Sequence, residues 1–447
     1  MKRILLIYLP FCTPASPPYS LTNLYSFIKA NSKHKIDVLD LNLEFHKLKF
    51  PKFHKYYKKG AWKDYAEVTA DFNKLTSKVY SDNNKKVVEG KKPELLNKLI
   101  KKIKDKKPDI VAFSIVYSSQ AFYANAIMKE LDCKCVIGGP AVNDKLKKIA
   151  DKTLINELEF LEYIDEKKVE HDKLNFNYII DFSSYKLNNY FSPCPVIPIK
   201  TSNTCYYKKC AFCSHFVNIP YYEYNLNTIK KTILASKQKH FFLIDDMIHV
   251  KRLLEIAEML KPLKVKWTAQ LKPTKDFTLD VFKKLKKSGL NMIMWGIESG
   301  SDRILKLINK GTNIKDITKV LEDSKKAGIV NINYMLYGFP TETKEEFIET
   351  MDFLKENEKN IDLVSSSIFG LQKNTIIYNN PKKFGIIKIN EEQRTVLEPK
   401  ITYEVKTGLN QKEASKLRDK YKKTINKINK YPKDMNYFRE HMLCKIK

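Results

Sequence analysis

The sequence predicts an α/β protein: an N-terminal Rossmann-like parallel sheet, a partial (β/α)6 barrel, and a helical C-terminal extension. Three observations predict it. Short apolar runs of strand length alternate with longer helical stretches from the start of the chain to about residue 371. In the second half, those runs end repeatedly in acidic or glycine residues, as parallel strands do when their carboxyl ends build a site. Hydrophobic residues make up 43% of the 447, enough for two or three domains with their own cores.

Residues 1–170 form the first strand–helix series. Arg3–Leu9 reads as a strand that stops at a turn rich in proline (Pro10, Pro14, Pro17, Pro18). Only about six apolar residues precede Pro10, without a small-residue cleavage site, so this start reads as a strand and not as a signal peptide. A helix follows over 20–30 and a strand over 35–41. Residues 43–105, rich in Lys and Tyr, read as a helical insertion, with a clear helix at 95–103. Asp109–Tyr117 is a buried parallel-type strand, and 121–131 a helix. The strand from Cys133 ends in the turn Gly138-Gly139-Pro140. Cys133 and Cys135 alternate along it and read as core residues. Residues 171–195, with Pro193, Cys194 and Pro195, read as a linker.

The second series occupies 196–371. Its six predicted strands are 196–202, 241–244, 265–270, 292–296, 330–336 and 364–369, with helices at 253–260, 279–288, 314–327 and 345–357 between them. Six units make an open barrel with its site at the carboxyl ends. There the sequence places Asp245-Asp246, Glu298-Ser299-Gly300 and Gly338-Phe339-Pro340. Paired carboxylates at a strand end call for a cation or an amine. Residues 372–447 form the extension, from which no chemistry is read.

The chemistry centres on the loop after the first barrel strand. Cys205, Cys210 and Cys213 place three of the eight cysteines within nine residues. Thiolates so close repel one another unless a cation or an iron–sulfur cluster takes up their charge. A zinc knuckle needs four closed ligands, and His215 is an awkward fourth. A ferredoxin-type site needs a fourth cysteine, which the neighbourhood does not supply. Three cysteines alone imply a [4Fe–4S] cluster with one iron left open.

This loop resembles that of the radical S-adenosylmethionine (SAM) enzymes, whose usual spacing is C-x3-C-x2-C with an aromatic before the last cysteine. Phe212 holds the aromatic position, and the C-x4-C-x2-C spacing is similar to that of cobalamin-binding and peptide-modifying members. The resemblance implies that Cys205, Cys210 and Cys213 hold the cluster and are essential to catalysis. It implies that Phe212, Asp245, Asp246, Glu298, Ser299, Gly338 and Pro340 contact SAM. Asp245 and Asp246 would meet its amino group, Glu298 its ribose hydroxyls, and the Gly338 segment its adenine. The bland alternatives are helix capping for the aspartates, a salt bridge for Glu298 and a capped turn at Gly338. His215 and His249 are assigned no role.

The first domain resembles the cobalamin-binding domain that precedes many radical SAM enzymes, through the Leu9-Pro10 turn, the segment from Ser114 to Gln120 and the Gly138-Gly139-Pro140 turn. The lower-axial histidine motif of other cobalamin proteins is absent. The resemblance implies cobalamin contacts at Ser114, Ser118, Gly138, Gly139 and Pro140, and methyl transfer to an unactivated carbon. The alternatives are radical chemistry without methyl transfer, on a small molecule or peptide, and a non-catalytic metal-binding module that holds RNA. Methylthio-transfer would require a second three-cysteine set, and residues 1–130 hold only Cys12.

The net charge is +30, yet only six of the 81 basic residues are arginine. Arginine is the side chain suited to bidentate phosphate and base readout, so no dedicated nucleic-acid role is expected. No apolar run approaches the roughly 20 residues of a membrane span. The expected setting is a reducing cytoplasm with an electron donor such as flavodoxin or ferredoxin.

Overall fold

The computed structural model describes residues 1–215 and 219–446, which divide into two compact units. The first holds residues 1–198, 227–238 and 393–399; the second holds 199–226, 239–392 and 400–447.

The first unit carries a five-stranded parallel sheet: β1 (Arg3–Tyr8), β2 (Lys35–Asp40), β3 (Ile110–Ser114), β4 (Lys134–Gly138) and β5 (Lys152–Leu154). Their order is β2-β1-β3-β4-β5. β5 is three residues long and too short to stand out as a sequence pattern. Ile4, Leu6, Ala112 and Val136 pack one face against the helix Tyr19–Asn31 through Leu21, Phe27 and Ile28. The 43–105 insertion is four helices, Leu41–Lys49, Pro51–Lys59, Tyr65–Val88 and Leu96–Lys104. An aromatic cluster holds several of them, with Phe72 touching Phe50 at 5.5 Å and Phe53 at 5.0 Å between ring centroids.

Strand order reverses between β1 and β3, the switch point where open α/β sheets bind ligands. Here Gln120 ties the strand ends together: its Nε2 donates to Leu9 O at 3.0 Å, and its Oε1 accepts from Val116 N at 2.7 Å. Ser114 Oγ lies 3.0 Å from Ser20 Oγ, and Ser119 Oγ donates to Phe11 O at 2.6 Å. Gly139 has φ +116°, and a Cβ there would stand 2.4 Å from Ile115 O. That contact is a structural reason for glycine, beside the expected cobalamin role. Gly139→Ala should destabilise the fold by about 2 kcal/mol; a lowered Tm in thermal melts of the full chain checks it.

A second sheet comprises β6 (Val196–Ile199), of which only Ile199 belongs to the second unit, and, within that unit, β7 (His240–Leu243), β8 (Lys266–Leu271), β9 (Leu290–Glu298), β10 (Val330–Tyr337) and β11 (Leu363–Ile368). They lie in sequence order in a six-stranded sheet, and the pairs from β7 to β11 are parallel. This is the connectivity of the expected open (β/α)6 barrel. Trp267, Trp295, Phe241, Met292 and Met294 fill its core, fully buried or nearly so. Trp295 Nε1 donates to Asn331 Oδ1 at 2.9 Å, which satisfies the indole in that core.

Three boundaries differ from expectation. Residues 171–195 are not a free linker: Tyr190 Oη donates to Asp40 Oδ2 at 2.8 Å and Phe191 N to Pro14 O at 2.8 Å, both inside the first unit. Residues 227–238, within the barrel series, also cluster with that unit. The extension, besides helices Gln411–Lys420, Lys422–Ile428 and Arg439–Lys445, contains an antiparallel pair, β12 (Ile386–Glu392) and β13 (Lys400–Val405). The charged residues Lys388, Glu391, Glu392, Lys400 and Glu404 on this largely exposed ribbon hide the alternation that marks a half-buried strand. No helix among the described residues is long and apolar enough to cross a membrane.

Candidate active site

The cysteine loop is fixed at its entry by Asp245, just past β7. Asp245 is 2% exposed, and its Oδ1 accepts from Thr201 N (2.9 Å), Thr201 Oγ1 (3.0 Å), Ser202 N (2.6 Å) and Ser202 Oγ (2.7 Å). Burial raises its carboxyl above the usual range, and these four donors pull it back. The Oδ1 atom of Asp245 is thus spent on the chain, while its Oδ2 accepts from Thr201 N at 3.1 Å. Asp246 differs: its carboxylate is partly exposed, and its Oδ1 lies 3.0 Å from His215 Nδ1. His215, assigned no role from sequence, is raised by that carboxylate. His249 caps the helix Val250–Leu260 and pairs with Glu223 at 2.8 Å.

Farther along, Ala211 N donates to Ile308 O at 2.9 Å, Ile377 N to Ala211 O at 3.0 Å and Tyr207 Oη to Asn309 O at 2.8 Å. Gly311 makes the last contact possible, because a Cβ there would lie 2.3 Å from Tyr207 Oη. The loop so held presents Cys205, Cys210 and Cys213 as free, partly buried thiols. They feel one another: burial chiefly, then Cys210 and Cys205, push the Cys213 thiol up to about 11. Burial also raises Cys210, against the pull of Lys310 and Lys272. Three thiols gathered on one loop, with Lys310 and Lys272 favouring the thiolate form of Cys210, are a donor set that an iron–sulfur cluster fits.

Glu298 arrives by a β-bulge. Tyr334 on β10 faces Gly296 and Met335 faces Glu298, so β9 carries one extra residue, and Glu298 takes φ +77°. Bulges redirect side chains beside sites, and a non-glycine residue at positive φ is held there by its surroundings. Lys310 Nζ donates to Glu298 Oε1 at 2.7 Å, with both side chains largely buried. Gly296 leaves them room, since a Cβ there would lie 3.0 Å from each. The salt bridge weighed as an alternative thus exists, and it neutralises the carboxylate in place. Ser299 is 1% exposed, and its Oγ accepts from Ser301 N at 3.1 Å.

The Gly338-Phe339-Pro340 turn is buried, and Gly338 has φ +71°. Gly338 N donates to Glu342 Oε2, while Glu342 Oε1 is buried without a partner. Burial lifts the Glu342 carboxyl up to about 7. Arg303 links this turn to the Glu298 segment, donating to Thr341 O at 2.7 Å and to Glu346 Oε2 at 2.6 Å. The pH effect of Glu342 has a definite sign. Below pH 4.5 the carboxyl is protonated folded or unfolded; above it the unfolded chain ionises first, and stability falls until about pH 7. Glu342→Gln should remove that fall, worth about 3 kcal/mol. Urea midpoints of both proteins across this range check it.

Phe212 and Glu298 line a cavity of about 520 Å³, with Tyr334, Ser365, Gln372 and Arg439 among its other walls. Lys272, Tyr207 and Arg439 are absent from the sequence-based set. Lys272 Nζ sits 3.2 Å from the centroid of the Tyr207 ring, and burial lowers it to about 8. Its place just past an apolar strand was the available signal; Arg439 had only its rarity in a lysine-dominated chain.

Residues 199–354 match the model of the radical SAM superfamily. The chain carries a radical SAM domain. An uncharacterized methyltransferase of Pyrococcus horikoshii is 32% identical over 143 residues, 31% of this chain and 28% of the relative. The bacteriochlorophyllide d C-8(2)-methyltransferase of Chlorobaculum tepidum is 26% identical over 217 residues, 44% of this chain and 47% of the relative. The chain thus spans less than half the length of these curated relatives. Among solved structures, the cobalamin-dependent SAM radical enzyme OxsB, with aqua-cobalamin bound, superposes with a TM-score of 0.60 at 15% identity, covering 95% of this chain and 67% of that one. The radical SAM methyltransferase TsrM of Kitasatospora setae, with cobalamin and a [4Fe-4S] cluster bound, gives 0.57 at 13% identity, covering 89% and 79%. At these identities the likeness is one of fold, and it extends over nearly the whole chain.

Proposed function

We propose that the protein is a cobalamin-dependent radical SAM enzyme that transfers a methyl group to an unactivated carbon of its substrate. The observation that carries this reading is the meeting of three free thiols, the Glu298–Lys310 pair and a substrate-sized cavity in one unit. When bound, a [4Fe–4S] cluster supplies the electron that cleaves SAM to methionine and a 5′-deoxyadenosyl radical, and cobalamin supplies the methyl group.

The chain's part is positioning. Cys205, Cys210 and Cys213 hold the cluster, and Asp245 holds their loop. Asp246 takes the amino group of SAM with its exposed carboxylate. Glu298, oriented by Lys310, accepts from the ribose hydroxyls, and Phe212 and the Gly338–Pro340 turn pack on the adenine. Ser114, Ser118, Gly138, Gly139 and Pro140 stand at the carboxyl ends of β3 and β4, where the first unit's own topology favours a ligand. The relatives and neighbours that carry methyltransferase names, and the cobalamin in OxsB and TsrM, support this assignment. The surplus of 81 basic over 51 acidic residues suits an acidic electron carrier such as flavodoxin or ferredoxin.

The test is the absorbance spectrum of protein reconstituted without oxygen in hydroxocobalamin, after desalting. Near-stoichiometric cobalamin beside iron–sulfur absorbance is the expected result. Cluster absorbance without cobalamin would remove methyl transfer and leave radical chemistry of another kind.

A further inference from the structure

The cavity in the second unit holds a cation that pairs with no carboxylate among the described residues. Arg439, at the start of the helix Arg439–Lys445, lines it, with its guanidinium 4.9 Å from the centroid of the Tyr334 ring. Its Nε is buried without a hydrogen-bond partner, and among the described residues no carboxylate lies within ion-pair distance of it. The Tyr334 hydroxyl is likewise buried and unpartnered. A guanidinium stacked on a ring keeps its in-plane donors for something else, and leaving them unmet in a cavity costs free energy.

The other charges do not answer that need. Glu298, the acidic group lining the same cavity, is already neutralised by Lys310 at 2.7 Å. Glu440, next in the chain, does not line the cavity. The remaining walls offer hydroxyls and an amide (Ser365, Ser367, Gln372) beside apolar surface (Leu336, Phe369). Arginine is also rare here, six residues among 81 basic ones, and its fork matches an oxyanion where a lysine would offer a point charge.

We propose that this cavity takes a substrate bearing an oxyanion, a carboxylate or a phosphate ester, on an apolar body, and that Arg439 binds the oxyanion. The proposal rests on the radical SAM reading of the same site. Arg439 acts in specificity: it places the apolar body toward the cysteine loop, to which the cavity is joined through Phe212 and through Ser214 Oγ donating to Gln372 Oε1 at 3.2 Å.

The test uses the reconstituted full chain and three probes in titration calorimetry: 3-phenylpropionate, its neutral amide, and phenyl phosphate. At least one anion should bind about tenfold or more tightly than the amide. The anion that binds better identifies the substrate's group. Arg439→Gln should erase that preference, Arg439→Lys should restore part of it, and both should keep the wild-type Tm and SAM affinity. Equal binding of acids and amide, binding of neither anion, or an unchanged preference in Arg439→Gln would overturn the proposal. So would a parallel loss of SAM affinity, which would give Arg439 to the SAM carboxylate. Failure of the protein to bind or cleave SAM would sink the enzyme reading instead, and the anion preference is read without it.

Discussion

Cys210→Ala is expected to reduce reductive cleavage of SAM to background. Cys210 sits between the other two thiols in the chain and is electrostatically coupled to Cys205, Glu298, Lys310 and Lys272. With only three thiols in the set, losing one leaves two ligands, and no free thiol in the loop replaces it. The measurement is 5′-deoxyadenosine formed per chain after anaerobic reconstitution and reduction, with iron content measured in parallel. A variant that still makes 5′-deoxyadenosine at the wild-type rate would refute the cluster assignment. Unchanged folding of the apo-variant, by circular dichroism, would separate lost chemistry from lost structure.

The second large effect belongs to a residue that touches no reacting group. Asp245→Ala should destabilise the second unit by about 3 kcal/mol or more, because two backbone N–H groups and two hydroxyls lose their common acceptor in a buried site. Thr201 and Ser202 are the entry to the cysteine loop, so the loop loses its anchor as well. Urea unfolding of the apo-protein should show the lower midpoint, and reconstitution should yield less iron per chain. Asp245→Asn, which keeps one acceptor oxygen, should fall between the two. If Asp245→Ala instead keeps full stability and iron but loses SAM affinity, Asp245 is a ligand-binding residue after all.

Much of this was legible in the chain because parallel sheets declare themselves. Strands buried on both faces read as continuous apolar runs, so β1, β3, β4 and all six barrel strands could be placed from sequence. The residues just past those runs were legible as site candidates for the same reason, since the ends of parallel strands share one rim. The cysteine spacing needed no structure at all. Less legible were elements whose stability comes from partners distant in sequence. β5 is too short for a pattern, β12 and β13 are charged and largely exposed, and 171–195 is ordered by contacts such as Tyr190 with Asp40.

The sequence by itself determined the fold class, the three-thiol loop and the strand ends that surround it, because each depends on residues close together in the chain. Only the tertiary structure decided what the polar residues at those ends do. Asp245 and Asp246 are adjacent and chemically alike, yet one is enclosed by four donors and the other is left partly open. Glu298 is neutral in effect because a bulge and Gly296 bring Lys310 to it. Arg439, 227 residues from Phe212, shares a cavity with it. Hydrogen bonds and desolvation act over a few Å of space, and spacing along the chain does not report that distance.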